Sequence, residues 1–136
     1  MAARAALVSL SSMLVMTLLK TCFHRHRPPG SLVEGITNYS FPSGHSFMSV
    51  AFYGLLIWLS VIYVKNNLLR LTIIAFLSLL ILTIGFSRIY LRVHYATDVI
   101  AGFSLGLAWL IFCLWFVGIR EFRSRQGLKS DTTAKG

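Results

Sequence analysis

The sequence predicts an all-α fold, a polytopic transmembrane helical bundle of about four spans, and three observations predict it. Hydrophobic residues make up 56% of the 136-residue chain and charged residues only 12%, with a mean hydropathy of +0.72, far more apolar than an ordinary soluble domain. The apolar residues gather into four runs, 5–19, 47–64, 71–86 and 99–119. Each run is apolar all round rather than along one stripe, the pattern of a helix surrounded by lipid or by other helices.

A helix crossing the roughly 30 Å hydrocarbon layer needs about 20 residues. The second and fourth runs meet that length, the third is slightly short, and the first is short unless it continues through Phe23. Residues 2–19 also have the apolar character of a secretory signal, but no small-residue cleavage pattern follows them, which rules that reading out. No Pro/Gly/Ser-rich linker or long-period repeat divides the chain, so residues 1–120 are read as one membrane domain and 121–136 as a basic cytoplasmic tail lying loose against anionic headgroups.

The formal net charge of +9 does not point to nucleic acid. The basic residues stand in short loops and the tail, between apolar runs, and never along one polar face. They do fix an orientation. If Arg4 is cytoplasmic, alternating spans put Lys65, Arg70, Arg120, Arg123, Arg125, Lys129 and Lys135 with it, and leave Lys20, Arg25, Arg27, Arg88 and Arg92 on the other side, as the positive-inside rule favours.

On that second side lie three polar motifs close to hydrocarbon, where charge is costly and marks function by default. Lys20 and Arg27 are seven residues apart; if the first helix runs to Pro28 they project from one face about 10 Å apart, a pair of cations suited to an anion between them. Arg27 offers a bidentate fork, Lys20 a point charge. Next, Pro42-Ser43-Gly44-His45 precedes an apolar run, with Ser43 at a natural N-cap and Gly44 allowing close backbone approach. A helix start with free N–H groups is an anion site, and His45 in its first turn faces it. Finally, His94 and Asp98 are one turn apart, so the carboxylate orients one imidazole nitrogen and frees the other for attack, while Arg88 joins the same anion. Each motif alone has an ordinary explanation: snorkelling cations, a helix cap, a surface His–Asp pair.

Together they do not. Lys20-x6-Arg27-Pro28, Pro42-Ser43-Gly44-His45 and Ser87-Arg88-x5-His94-x3-Asp98 resemble, in order and internal spacing, the three-part signature of the phosphatidic acid phosphatase type 2 superfamily, which also contains the vanadium haloperoxidases. The resemblance runs from about Lys20 to Gly106. It implies a metal-independent, cofactor-free, all-helical acid phosphatase, expected in the bacterial plasma membrane; the loop charges put its site on the non-cytoplasmic face. Membrane members dephosphorylate lipids such as phosphatidic acid, phosphatidylglycerol phosphate and undecaprenyl pyrophosphate. By that resemblance His94 is the nucleophile forming a phosphohistidine, Asp98 its orienting partner, and His45 the acid that protonates the leaving oxygen. Lys20, Arg27, Ser43, Gly44 and Arg88 resemble the phosphate clamp.

One departure stands out. Membrane members usually have six spans, with the Lys–Arg motif after the third, whereas one apolar run precedes it here. The expectation is a bundle short of two N-terminal helices, to which homo-oligomerisation or helper helices would restore the missing packing. Two alternatives follow: a catalytically silent membrane interaction protein that keeps the motifs, and a haloperoxidase, which the hydrophobic spans disfavour because those relatives are soluble.

Other residues carry weaker signals. His24 and His26 with His45 and His94 do not complete a zinc ligand pattern. Cys22 and Cys113 are expected to lie too far apart to bridge. Gly102 and Gly106 have the spacing of close helix packing. Trp58, Trp109 and Trp115 read as bundle or lipid-facing mass.

Overall fold

The computed structural model describes residues 2–33, 35 and 39–133, with backbone alone for 2–9 and 117–133. The described residues form four α-helices in the order α1 Ala2–Cys22, α2 Gly44–Tyr63, α3 Asn67–Tyr90 and α4 Ala96–Thr133. Helices α2 and α3, and Ala96–Phe116 of α4, are long and apolar enough to cross a bilayer; Leu10–Cys22 of α1 is apolar but shorter. The all-helical architecture follows the pattern of apolar runs, with each helix starting a few residues before its run. Side chains such as Phe76, Leu79, Leu82 and Phe86 on α3 are exposed, as hydrocarbon surroundings permit.

Two sequence expectations need correction. Helix α1 ends at Cys22, so Arg27 lies in the irregular segment that follows rather than on the helix. Pro28 keeps Arg27 itself out of helical backbone, since a proline disfavours that conformation at the residue before it. The segment after Arg120 is not loose: α4 continues as helix through Thr133. Lys135, read with the tail, lies outside the described residues, as does Thr37 in the α1–α2 connection.

Helix α2 is central and packs against α4, α3 and α1. Its apposition to α4 depends on two glycines. A Cβ at Gly102 would stand 2.6 Å from the Ser43 carbonyl oxygen, and one at Gly106 2.6 Å from that of Phe47, so only glycine lets these backbones approach so closely. Toward the far end Ala51, Leu55 and Leu110 form a small buried cluster flanked by Trp58 and Cys113. At the near end the interior turns polar: Ser40, Ser43, Ser46, His94 and Asp98 are all buried. The structure thus concentrates its buried polarity at the bundle end where α1 and α3 finish and α2 and α4 begin.

Candidate active site

Four short local structures bring the site together. The first is the end of α3. Leu91 caps the helix and Arg92 adopts a left-handed backbone with φ of 53°. The Arg92 N–H then donates to the Ile89 carbonyl at 2.9 Å and the Val93 N–H to the Arg88 carbonyl at 3.2 Å. This is a Schellman motif, closed by the buried Val93 side chain. The His94 N–H also donates to the Arg88 carbonyl, at 3.3 Å. The turn therefore fixes His94 beside Arg88 although α3 has ended.

The second is the start of α4. Asp98 occupies the third helical position, and its Oδ2 accepts from the Tyr95 N–H at 2.9 Å, half of a capping box. Because the carboxylate is fixed this way, Oδ2 also faces His94, with Nδ1 at 3.7 Å. That distance is too long for a hydrogen bond, and Nδ1 is buried without a hydrogen-bond partner. Burial, and after it the positive charge of Arg27, hold the His94 imidazole down to a pKa of about 4; the Ser40 backbone and the charge of Asp98 oppose this, and Lys20 adds to it. His94 is consequently neutral near pH 7, with a lone pair available.

The third is the start of α2. Ser43 is the N-cap residue, as its sequence position suggests, but it makes no side-chain capping bond. Its Oγ instead accepts from Ser46 Oγ at 3.0 Å, and its N–H donates to the Asp98 carbonyl at 3.0 Å. The first-turn N–H groups of α2 are left without a side-chain cap, at the positive end of the helix dipole. His45 is exposed in that turn, where the charges of Arg88, Lys20 and Arg27 all bear on it.

The fourth is the connection from α1 to α2. Lys20 lies in the last turn of α1 and its Cε comes within 3.9 Å of a Cβ built on Gly44. The Arg27 Nη1 donates to the Val93 carbonyl at 2.7 Å. The segment itself is pinned, since the Ser40 N–H donates to the Arg25 carbonyl at 2.9 Å and Ser40 Oγ to the His26 carbonyl at 3.1 Å. Lys20 and Arg27 thus reach one site by different routes, and Arg27's charge bears on Lys20.

All eight residues singled out in the sequence, Lys20, Arg27, Ser43, Gly44, His45, Arg88, His94 and Asp98, sit at this end of the bundle. One participant was not singled out. Arg25 Nη1 donates to Asp98 Oδ1 at 2.7 Å and to Thr97 Oγ1 at 2.8 Å, with its guanidinium 4.3 Å from the Tyr95 ring centroid. No local spacing signals it, since Arg25 and Asp98 are 73 positions apart. His24 turns elsewhere, edge-on to Tyr39. Among the described residues no three His, Cys, Asp or Glu side chains group as a metal site. Cys22 and Cys113 are free thiols.

A cleft of about 360 Å³ opens beside the cations, lined by Met13, Met16, Thr17 and Lys20 of α1 and by Gly44, His45 and Met48 of α2. It joins two of the ionisable motif residues directly to apolar helix faces.

The family model of the PAP2 superfamily matches residues 2–122. Phosphatidylglycerophosphatase B of Bacillus subtilis (strain 168) is 36% identical over 104 residues, covering 74% of this chain and 49% of that protein. The chain therefore spans about half the length of this relative. A crystal structure of a transmembrane PAP2 type phosphatidylglycerolphosphate phosphatase from Bacillus subtilis aligns with a TM-score of 0.75 at 30% identity, over 84% of this chain and 57% of that one. That of Aquifex aeolicus LpxE gives 0.58 at 28% identity, over 82% and 65%.

Proposed function

The chain belongs to the PAP2 superfamily, and from that membership we propose that it is a membrane lipid phosphatase, hydrolysing a phosphomonoester or pyrophosphate of a lipid through a phosphohistidine. The observation that carries this reading is the convergence of four cations or histidines and a buried His–Asp pair from separate helices and connections onto one end of the bundle, next to a methionine-lined cleft. The activity of these relatives on phosphatidylglycerophosphate makes phosphatidylglycerol phosphate the first lipid to test, with phosphatidic acid and undecaprenyl pyrophosphate as the other classes.

In this scheme Lys20, Arg27, Arg88 and the first-turn amides of α2 bind the phosphoryl oxygens. His94 Nε2 donates its lone pair to phosphorus as the bond from phosphorus to the leaving oxygen breaks, and His45 gives that oxygen a proton. The positive charge that develops on the imidazole is stabilised by Asp98 across the 3.7 Å gap to Nδ1, a gap that closes as charge grows. Water, losing a proton to His45, then displaces His94 from phosphorus, the P–N bond breaks and inorganic phosphate leaves. The cleft beside Lys20 and His45 receives the start of the hydrocarbon chain, so the substrate enters from the bilayer. The distribution of basic residues among the loops supports a site on the non-cytoplasmic face.

The test is inorganic phosphate release from a panel of these lipids by the purified chain, with trapping of labelled phosphate on protein after acid-free quench. Release without any trapped phosphohistidine, or equal release by His94→Ala, would overturn the covalent scheme. No release from any lipid would favour the silent interaction protein instead.

A further inference from the structure

The geometry points to Arg25 as a positioning residue that acts on His94 through Asp98. Asp98 is fully buried and has two oxygens with different duties. Oδ2 takes the Tyr95 N–H and faces His94 Nδ1, while Oδ1 is held by Arg25 at 2.7 Å. The carboxylate is joined to its residue by a single bond about which it rotates, so the Tyr95 contact alone leaves its plane free to swing. A second strong donor on the other oxygen sets that plane.

Arg25 is itself held at three points: the Asp98 carboxylate, the Thr97 hydroxyl at 2.8 Å, and the Tyr95 ring at 4.3 Å. Those contacts come from Tyr95, just before α4, and from Thr97 and Asp98 in its first turn. A cation snorkelling to headgroups or reaching for substrate phosphate has no need of such a seat. Arg27, two residues on, takes a different path, with Nη1 on the Val93 carbonyl. The two arginines thus divide the work: Arg27 lies on the His94 side of the site, whereas Arg25 stands behind Asp98. With its side chain 41% exposed, Arg25 reaches the buried carboxylate from the rim. The chain Arg25, Asp98, His94 is the base-and-orienter logic of a triad extended by one link.

Its role in turnover rests on the phosphatase reading above, but its action on His94 does not, and two measurements separate them. With dioctanoyl phosphatidate as the probe, Arg25→Ala is expected to lower kcat roughly tenfold, the scale on which outer partners of a site act, with KM within about twofold and Arg25→Lys recovering part of the loss. In an Asp98→Asn background the same change is expected to cost less than about twofold, because the link it acts through is gone. A raised KM at unchanged kcat would assign Arg25 to phosphate binding and overturn the proposal, as would fully multiplicative losses in the double variant. The second measurement needs no turnover: the His94 ring resonances, in protein carrying labelled histidine, are expected to move in Arg25→Ala as they move in Asp98→Asn. Unmoved resonances in a folded Arg25→Ala protein would overturn it even if no lipid is hydrolysed, while moved resonances without hydrolysis would sink only the phosphatase reading.

Discussion

His94 Nδ1 lies 3.7 Å from Asp98 Oδ2, one helical turn away across the start of α4, and both groups are buried. The spacing is just beyond hydrogen-bonding reach. It suits a pair in which the carboxylate matters most when the ring becomes cationic. His94→Ala is therefore expected to lose essentially all phosphate release, whereas Asp98→Asn, which keeps the Tyr95 contact but not the charge, retains a small fraction. Comparable activity in both variants, measured as initial rates at saturating lipid, would separate the two residues from any shared role.

The low pKa of His94 makes a signed prediction. A histidine held at about 4 rather than 6.5 stays neutral down to that pH, so the acid limb of kcat/KM that reports the free nucleophile falls near pH 4. Removing the Arg27 charge, in Arg27→Gln, is expected to raise the titration midpoint, and removing the Asp98 charge, in Asp98→Asn, to lower it further. The histidine ring signals followed against pH give both values, and shifts of the opposite sign would contradict the placement of these two charges.

The same depression has a consequence for stability. Between the ordinary histidine value and about 4 the unfolded chain binds a proton at this residue that the folded chain does not, so stability from this group is fully present above pH 6.5 and is lost as pH falls through that window. His94→Asn is expected to flatten thermal stability between those limits, read as a smaller drop in Tm on acidification than in the unaltered chain.

The methionine-lined cleft predicts selectivity for the chain rather than the headgroup. Met13 lines the cleft about two helical turns from Lys20, so Met13→Trp narrows the end of the cleft away from the phosphate contacts. Long-chain lipid phosphates are expected to lose turnover through KM, by roughly tenfold or more if two or three methylene contacts of about 0.8 kcal/mol each are lost, while a water-soluble phosphomonoester is hydrolysed as before. An equal effect on both substrates would remove the cleft from substrate binding.

Topology is open to direct measurement. In a background lacking Cys22 and Cys113, cysteines at Pro29 and Lys65, both exposed and at opposite ends of α2, are expected to react with an impermeant reagent from opposite sides of the membrane, Pro29→Cys from outside. Labelling of both in sealed cells would overturn the orientation.

How much of this was legible beforehand differs residue by residue. Ser43, Gly44 and His45 were readable because a helix start is a local event, set by the residues just before an apolar run, and His94 and Asp98 because they are only four residues apart across such a start. Even there the sequence misjudged Ser43, whose hydroxyl takes the bond from Ser46 rather than capping the helix. Lys20 and Arg27 were paired on a common helix, but that helix ends at Cys22, and Arg27 comes to this end of the bundle through its bond to Val93, 66 positions away.

What the sequence by itself determined was therefore the membrane setting, the helical content and the chemistry-bearing motifs, since hydropathy, run length and local spacing depend only on neighbours along the chain. The tertiary structure alone decided which oxygen of Asp98 faces His94 and what holds the other. The Arg25–Asp98 pair spans 73 positions, and no periodicity connects them. Their meeting depends on where α1 stops, on the left-handed turn at Arg92 that ends α3, and on the two glycines of α4 that let its backbone rest against that of Ser43 and Phe47. The first two are local events of the backbone and the third a packing distance set by van der Waals contact between helices; that they bring Arg25 to Asp98 is information a linear sequence does not carry.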